Sequence, residues 1–183
     1  MRYHTFSPIS MVAVITAVAL ACDGSRALTA PGQSGEEIVG GSSPAILVPF
    51  KGTFSAIGTA ADVPGDRCPA LTVHIEGPGT ATHLGSLTTV QSHCVEPGSF
   101  AFTNGQFTLT AANGDQLFGT YQGEFMPLEP PVFTIDGAFT FTGGTGRFDG
   151  ATGGGDASGT QDLATGAATV VLEGTISSVG SSR

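Results

Sequence analysis

The sequence predicts an all-β protein that forms a single small antiparallel barrel of about eight strands. Three observations support this prediction. Apolar side chains recur at every second residue in short runs after residue 45, as at Phe50, Phe54 and Ala56. Gly, Pro and Asn residues separate these runs, as turns do. No stretch after residue 45 shows the 3.6-residue period of an amphipathic helix.

Turn signals define the expected strand order. The sequences concerned are Gly77-Pro78-Gly79, Pro97-Gly98, Asn104-Gly105, Asn113-Gly114-Asp115 and Thr142-Gly143-Gly144. An Asn-Gly pair between apolar runs favours a two-residue hairpin, because both of its central residues need a positive φ. We therefore expect one hairpin between residues 99–103 and 106–112, and a second between 106–112 and 116–126.

A sheet of this many strands must hide its apolar face and its edges. A closed barrel removes the edges, so it is favoured over a sandwich. All phenylalanines except Phe6 lie after residue 45, and many of them alternate. A barrel of about eight strands is just wide enough to be filled by side chains or to hold one small ligand. The phenylalanines therefore fill the core or line a cavity for a small apolar molecule, with Tyr121 and the histidines as polar groups at its mouth.

The N-terminus predicts export. Residues 1–21 carry Arg2 and then an uncharged apolar run, ISMVAVITAVALA. A helix of that length rises only about 20 Å, too little to cross a bilayer, and the run suits a signal peptide. Cys22 follows Ala19-Leu20-Ala21 and resembles the acylated cysteine of bacterial lipoproteins, although Ala19 stands where that motif usually has Leu. The alternative is ordinary cleavage after Ala21, which leaves Cys22 as the new N-terminus.

Residues 22–45 then form the lipidated cysteine and a flexible Gly/Ser/Pro linker, with a reach of about 25 Å, and residues 46–179 form the barrel domain. The three cysteines fit this interpretation. If Cys22 carries lipid, Cys68 and Cys94 remain as an even pair for a disulfide in an oxidising compartment. That bond would stabilise the fold by about 3 kcal/mol. Two separate buried thiols are the alternative, and the absence of a CxxC pair argues against zinc.

Residues 142–153 read Thr-Gly-Gly-Thr-Gly-Arg-Phe-Asp-Gly-Ala-Thr-Gly. This segment resembles the GGTGRFxGATG signature of uncharacterised secreted bacterial proteins and, more loosely, a glycine-rich strand pair of plant dirigent proteins. Residues 82–85 and 109–115 also resemble parts of the bacterial group. The resemblance implies an eight-stranded antiparallel barrel of the allene oxide cyclase type. It implies no activity, and it carries no catalytic residue over to this chain.

Charge and motifs exclude several classes of function. The formal net charge is −9 and Lys and Arg do not cluster, so neither nucleic acid nor a polybasic membrane patch is expected. A GxGxxG reading from Gly144 places Asp149 at the last glycine, and no helix follows. A calcium-binding GGxGxD unit fails because Phe148 stands where Asp is required. We expect no cofactor and no metal.

The candidate catalytic residues are His74, Glu76 and Tyr121. On a strand His74 and Glu76 project to one face, where they would form a base with its orienting partner or two metal ligands. His83 and His93 flank a turn near Ser86, and all three histidines also fit a surface or rim position. These residues do not decide whether the protein is an enzyme.

The sequence therefore predicts a cell-envelope lipoprotein with a structural or small-ligand-binding barrel. Its expected partners are a membrane, through the N-terminal lipid, and a small apolar ligand. The alternatives are a cyclase- or isomerase-like enzyme acting on an apolar substrate inside the barrel, and a protein-interaction module. Without acylation, the protein would be secreted or periplasmic and soluble.

Overall fold

The computed structural model describes residues 46–61 and 67–177. The predicted signal peptide, Cys22 and the linker lie outside these residues. The described chain is organised as eight strands and one short 3-10 helix, Gly146–Phe148, between the sixth and seventh strands. The strands are β1 Leu47–Ala61, β2 Leu71–Ala81, β3 Gly85–Val95, β4 Ala101–Ala111, β5 Gln116–Glu129, β6 Val132–Gly144, β7 Gly153–Asp162 and β8 Ala167–Ser177.

The eight strands close into one antiparallel barrel, which confirms the predicted fold class. Each strand pairs with the next along the chain, and β8 returns to pair with β1. The period-two alternation has the expected cause, since Phe50, Phe54 and Ala56 of β1 are buried while Lys51 and Ser55 between them are exposed. Over its described residues the structure contains no helix with the length and apolarity that a membrane crossing requires.

One end of the barrel is closed by the glycine-rich segment between β6 and β7. Phe148 of the 3-10 helix is fully buried and packs in the main core with Leu84 and Ile176. Arg147 places its Nε 3.6 Å from Oδ2 of Asp115, in the β4–β5 turn, and its guanidinium carbon 5.0 Å from the Phe148 ring centroid. The segment singled out in the sequence is therefore the plug of this end.

The Asn104-Gly105 hairpin prediction is wrong. Both residues lie inside β4, where the register with β5 shifts between Phe102 and Gly105. Asn104 has a φ of 52°, and the Cβ of any larger residue at Gly105 would lie 2.6 Å from Cγ of Tyr121. The pair makes a β-bulge that brings β4 close to the tyrosine ring, and a bulge needs the same positive φ as a turn.

Gly77-Pro78-Gly79 is also not a turn, because it lies within β2. The β1–β2 pairing runs from Phe54↔Gly79 to Ile57↔Glu76 and skips the residues between them, so Pro78 falls at a gap in the ladder. Proline is tolerated there because no ladder hydrogen bond to β1 requires its missing N–H, while Pro78 still pairs with Thr88 of β3. The predicted pairing of β4 with β5 across Asn113-Gly114 is confirmed, but the loop spans residues 112–115 instead of two residues, and of the Asn-Gly pair only Gly114 has a positive φ, at 89°.

The Cys68–Cys94 disulfide is present, as the cysteine count predicted. Cys94 is the penultimate residue of β3, and Cys68 lies just before β2. Both residues are buried. The bond therefore fastens the chain entering β2 to β3, directly beside His93.

Candidate functional site

A cavity of about 50 Å³ lies inside the barrel, and its wall is mostly apolar. Its apolar lining includes Phe54, Phe107, Phe139 and Leu172. Four polar side chains interrupt this surface: Gln91, His93, Tyr121 and Gln161. Among the described residues that line it there is no carboxylate, lysine or arginine. The interior therefore combines an uncharged, apolar wall with a few hydrogen-bonding groups.

The cavity borders a wider cleft of about 480 Å³ at the end of the barrel opposite Phe148. The β3–β4 and β7–β8 loops line this cleft, which shares His93, Phe125 and Gln161 with the inner cavity. Phe100 and Leu163 stand at its rim and are more than half exposed, at 54% and 51%. The barrel thus has one plugged end and one open, apolar end, and two of the polar groups, His93 and Gln161, lie where cavity and cleft meet.

Strand β3 carries the central residue of the site. Its inward row is Leu87, Thr89, Gln91 and His93, all buried, so the row changes from apolar to polar toward the open end. His93 is 2% exposed and is surrounded by Phe102, Phe125 and Tyr121, with ring centroids 5.3, 6.3 and 5.7 Å away. The alternation of β3 thereby places an imidazole in an aromatic pocket.

His93 and Tyr121 form a hydrogen-bonded pair across the barrel. Nδ1 of His93 lies 2.8 Å from the Tyr121 hydroxyl oxygen. Burial and, to a smaller extent, the nearby positive charge of Arg67 together lower the pKa of His93 to about 4. Burial also raises the pKa of Tyr121 well above its usual range, although Arg67 opposes this shift. Both groups are consequently uncharged at neutral pH.

Nε2 of His93 is buried and has no hydrogen-bond partner among the residues that the structure describes. A buried polar atom without a partner costs about 1–3 kcal/mol. Such atoms are rare in folded proteins, and each one calls for a specific explanation. Here the atom belongs to a residue that lines a cavity, so a molecule in that cavity can supply the missing partner.

Two glutamines accompany the pair. Gln91 is 8% exposed and donates from Nε2 to Oγ1 of Thr89 at 3.0 Å. Gln161 of β7 is 6% exposed and lies at the boundary between cavity and cleft. An amide offers both a donor and an acceptor, so the site has hydrogen-bonding capacity beyond His93.

Arg67 stands beside this site and is held in place by neutral partners. Its two terminal nitrogens each donate at 2.6 Å, one to the carbonyl oxygen of Asn104 and the other to Oγ of Ser92. The adjacent Cys68 is joined to Cys94. The disulfide and the β4 bulge therefore fix a cation whose positive charge adds to the effect of burial in lowering the pKa of His93.

The structure separates the predicted site residues. Tyr121 lines the cavity, whereas His74 and Glu76 are exposed on the outer face, on either side of the inward Ile75. Strand alternation puts both of them on one face, as expected, and that face is the outside of the barrel. Their role as catalytic candidates stays a prediction. His83 lies in the β2–β3 turn, is exposed, and has Nε2 3.2 Å from the carbonyl oxygen of Pro49.

Sequence reasoning missed Gln91 and Gln161 and did not rank His93 above the other histidines. The available signal was the alternation Leu87, Thr89, Gln91, His93, which continues one inward face. Among the described residues no group of three or more His, Cys, Asp or Glu side chains is placed to hold a metal ion. No protein-family model and no curated protein matches the chain. The function is therefore argued from the site itself.

Proposed function

We propose that the barrel binds a small, uncharged, largely apolar molecule at its open end. The observation that carries this proposal is the unpartnered Nε2 of His93 in an apolar cavity. A ligand that fills the cavity buries apolar surface and satisfies this nitrogen at the same time. A charged ligand is disfavoured, because no charged side chain is among the described residues that line the cavity and the cleft.

The two volumes set the size of the ligand. A cavity of about 50 Å³ accepts only a small part of a molecule, and the cleft of about 480 Å³ holds the rest. Ligand pockets of proteins typically span about 300–1,000 Å³, so the cleft is within that range and the inner cavity is below it. The ligand therefore spans both spaces, with its polar atom at their boundary beside His93.

The proposal is tested by titrating small neutral ketones, ethers, esters and alcohols while recording NMR shifts of the aromatic and His93 signals. For probes of about seven heavy atoms we expect dissociation constants in the millimolar range or below. Ala157 lines the cavity, whereas Ala138 is exposed on the adjacent strand β6. Ala157→Leu fills the space and should abolish the shifts, and Ala138→Leu should leave them unchanged.

Two results would contradict ligand binding. One is that no probe gives saturable shifts at the cavity residues of the folded wild type. The other is that Ala157→Leu folds and binds the probes as the wild type does. Ordered water alone in the cavity would produce the first result.

An enzyme acting on an apolar substrate is the second candidate, and the His93–Tyr121 pair is the observation that favours it. General acid–base catalysis works best when the pKa lies near the operating pH. With its pKa near 4, His93 is a poor base at neutral pH, and Tyr121 is a poor acid. The same pair suits hydrogen bonding to a bound molecule, so binding is the better-supported function.

We further propose that the protein is exported and lipid-anchored at Cys22. The apolar run before Ala19-Leu20-Ala21-Cys22 supports this, as does the even cysteine pair that remains when Cys22 is set aside. The resemblance of residues 142–153 to secreted bacterial barrel proteins is consistent with export and stays part of the proposal.

The anchor is tested with Cys22→Ser. We expect this variant to leave the membrane fraction and to lose the acyl mass from its N-terminal peptide, because the thioether that holds the lipid cannot form. Cys68→Ser serves as a control, since it removes a cysteine, and with it the disulfide to Cys94, without removing the attachment point. Unchanged fractionation of Cys22→Ser would contradict the anchor.

A further inference from the structure

The hydrogen bond between His93 and Tyr121 defines which nitrogen of the imidazole carries the proton. A phenol has one proton to donate, and when it is buried that proton needs an acceptor. Within the described part of the chain, the hydroxyl of Tyr121 has Nδ1 of His93 as its hydrogen-bond partner, at 2.8 Å. If Nδ1 carried the ring proton, it would donate to the hydroxyl and leave the hydroxyl proton without an acceptor.

Tyr121 therefore donates to Nδ1, and Nδ1 accepts. A neutral imidazole has one N–H, so its proton resides on Nε2. The unpartnered buried atom of the cavity is then a donor rather than an acceptor. Tyr121 thus acts as a positioning residue, because its hydroxyl selects the tautomer that Nε2 offers to the cavity.

We propose that the site selects a neutral hydrogen-bond acceptor, so that its ligand class is apolar molecules bearing a carbonyl or ether oxygen. This inference rests on the proposed binding function and deepens it. The ligand oxygen accepts from Nε2 of His93, while its carbon skeleton lies against Phe107, Phe125 and their neighbours. A carboxylate is disfavoured, because no cation is among the described residues that line the cavity and the cleft, and the terminal nitrogens of nearby Arg67 already donate to Asn104 and Ser92.

The tautomer can be measured without any ligand. In ¹⁵N NMR spectra of the full chain at neutral pH, we expect Nε2 of His93 to be the protonated, pyrrole-type nitrogen and Nδ1 the pyridine-type one. Tyr121→Phe removes the hydroxyl group that donates to Nδ1, so both tautomers of His93 should be populated in this variant. A proton found on Nδ1 in the wild type would overturn the inference, whatever the protein binds.

Acceptor selection is measured with two probes of the same shape, cyclohexanone and methylenecyclohexane, which differ by C=O against C=CH2. The quantity compared is the ratio of their dissociation constants in the wild type and in His93→Phe, so that the different costs of leaving water cancel. One hydrogen bond is worth about 0.5–1.5 kcal/mol. We therefore expect the preference for the ketone to fall up to about tenfold in the variant.

The outcomes separate the two proposals. If both probes bind the wild type and the ratio is the same in folded His93→Phe, acceptor selection fails and the binding function stands. If neither probe binds the wild type, the binding function fails for this ligand class and acceptor selection fails with it. If His93→Phe does not fold, the tautomer of the wild-type protein still decides whether Nε2 is the donor.

Discussion

At the scale of single residues, His93 makes the free energy of unfolding depend on pH. Its pKa is about 4 in the folded protein and 6.5 in the unfolded chain. Between these values the unfolded chain binds a proton that the folded protein does not bind. The free energy of unfolding therefore falls as the pH is lowered from about 6.5, and the loss is complete near pH 4.

We expect this loss to amount to about 3 kcal/mol, since one pKa unit corresponds to about 1.4 kcal/mol. Chemical denaturation of the wild type and of His93→Phe at a series of pH values measures it. The stability difference between the two proteins should change across pH 4–6.5 and stay constant above pH 7. Parallel curves over the whole range would show that His93 is not protected from protonation.

The residue scale is also where the sequence predicted least. Tyr121 was expected as a polar group at a cavity mouth; it lines the inner cavity and is not among the described residues that line the cleft. His74 and Glu76 were candidates because of their chemistry, yet the pleat of β2 turns both outward. Which face of a strand points inward depends on register, and one residue of slip reverses it. Composition alone does not determine this.

At the scale of elements, the β4 bulge positions the site. It gives Gly105 contact with the Tyr121 ring and exposes the Asn104 carbonyl to Arg67. The sequence indicated a positive φ at Asn104 correctly and assigned it to a hairpin, because turns and bulges share that backbone requirement. Whether Asn104 lies in a turn or in a bulge depends on the long-range pairing of β4 with β5, which no local sequence motif indicates.

Gly105→Ala tests the role of this bulge. The new methyl group would clash with the backbone carbonyl oxygen of Tyr121 and would lie 2.6 Å from atoms of its ring, so that both strand β5 and the ring must move. We expect a loss of about 1–3 kcal/mol in the free energy of unfolding and a changed His93 signal in NMR spectra. Gly52→Ala is the matched control, because its nearest neighbour is the Cβ of Ala81 at 3.3 Å. Equal effects of the two substitutions would contradict this role.

At the scale of the whole molecule, the barrel is asymmetric. Its overall class followed from the sequence, because period-two alternation, turn residues and the need to remove sheet edges all agree. The division into a plugged end and an open end could not be predicted from the sequence. It arises because Phe148 folds back into the core from a loop, and nothing in the period of the strands encodes that return.

Phe148→Ala tests the plug. Removing a fully buried phenyl ring should lower the free energy of unfolding by about 3–5 kcal/mol, as measured by denaturation. Phe100 is 54% exposed at the open end, so Phe100→Ala should cost less than about 1 kcal/mol. A small loss for Phe148→Ala would mean that the ring does not close the barrel.

The central claim, that the barrel takes up a small neutral molecule inside its open end, is tested most directly by intermolecular nuclear Overhauser effects. With cyclohexanone in solution, ligand protons should give such effects to the methyl group of Ala157, which lines the cavity. They should give none to the methyl group of the exposed Ala138. Effects confined to outer side chains, or none at all in the folded protein, would contradict the claim.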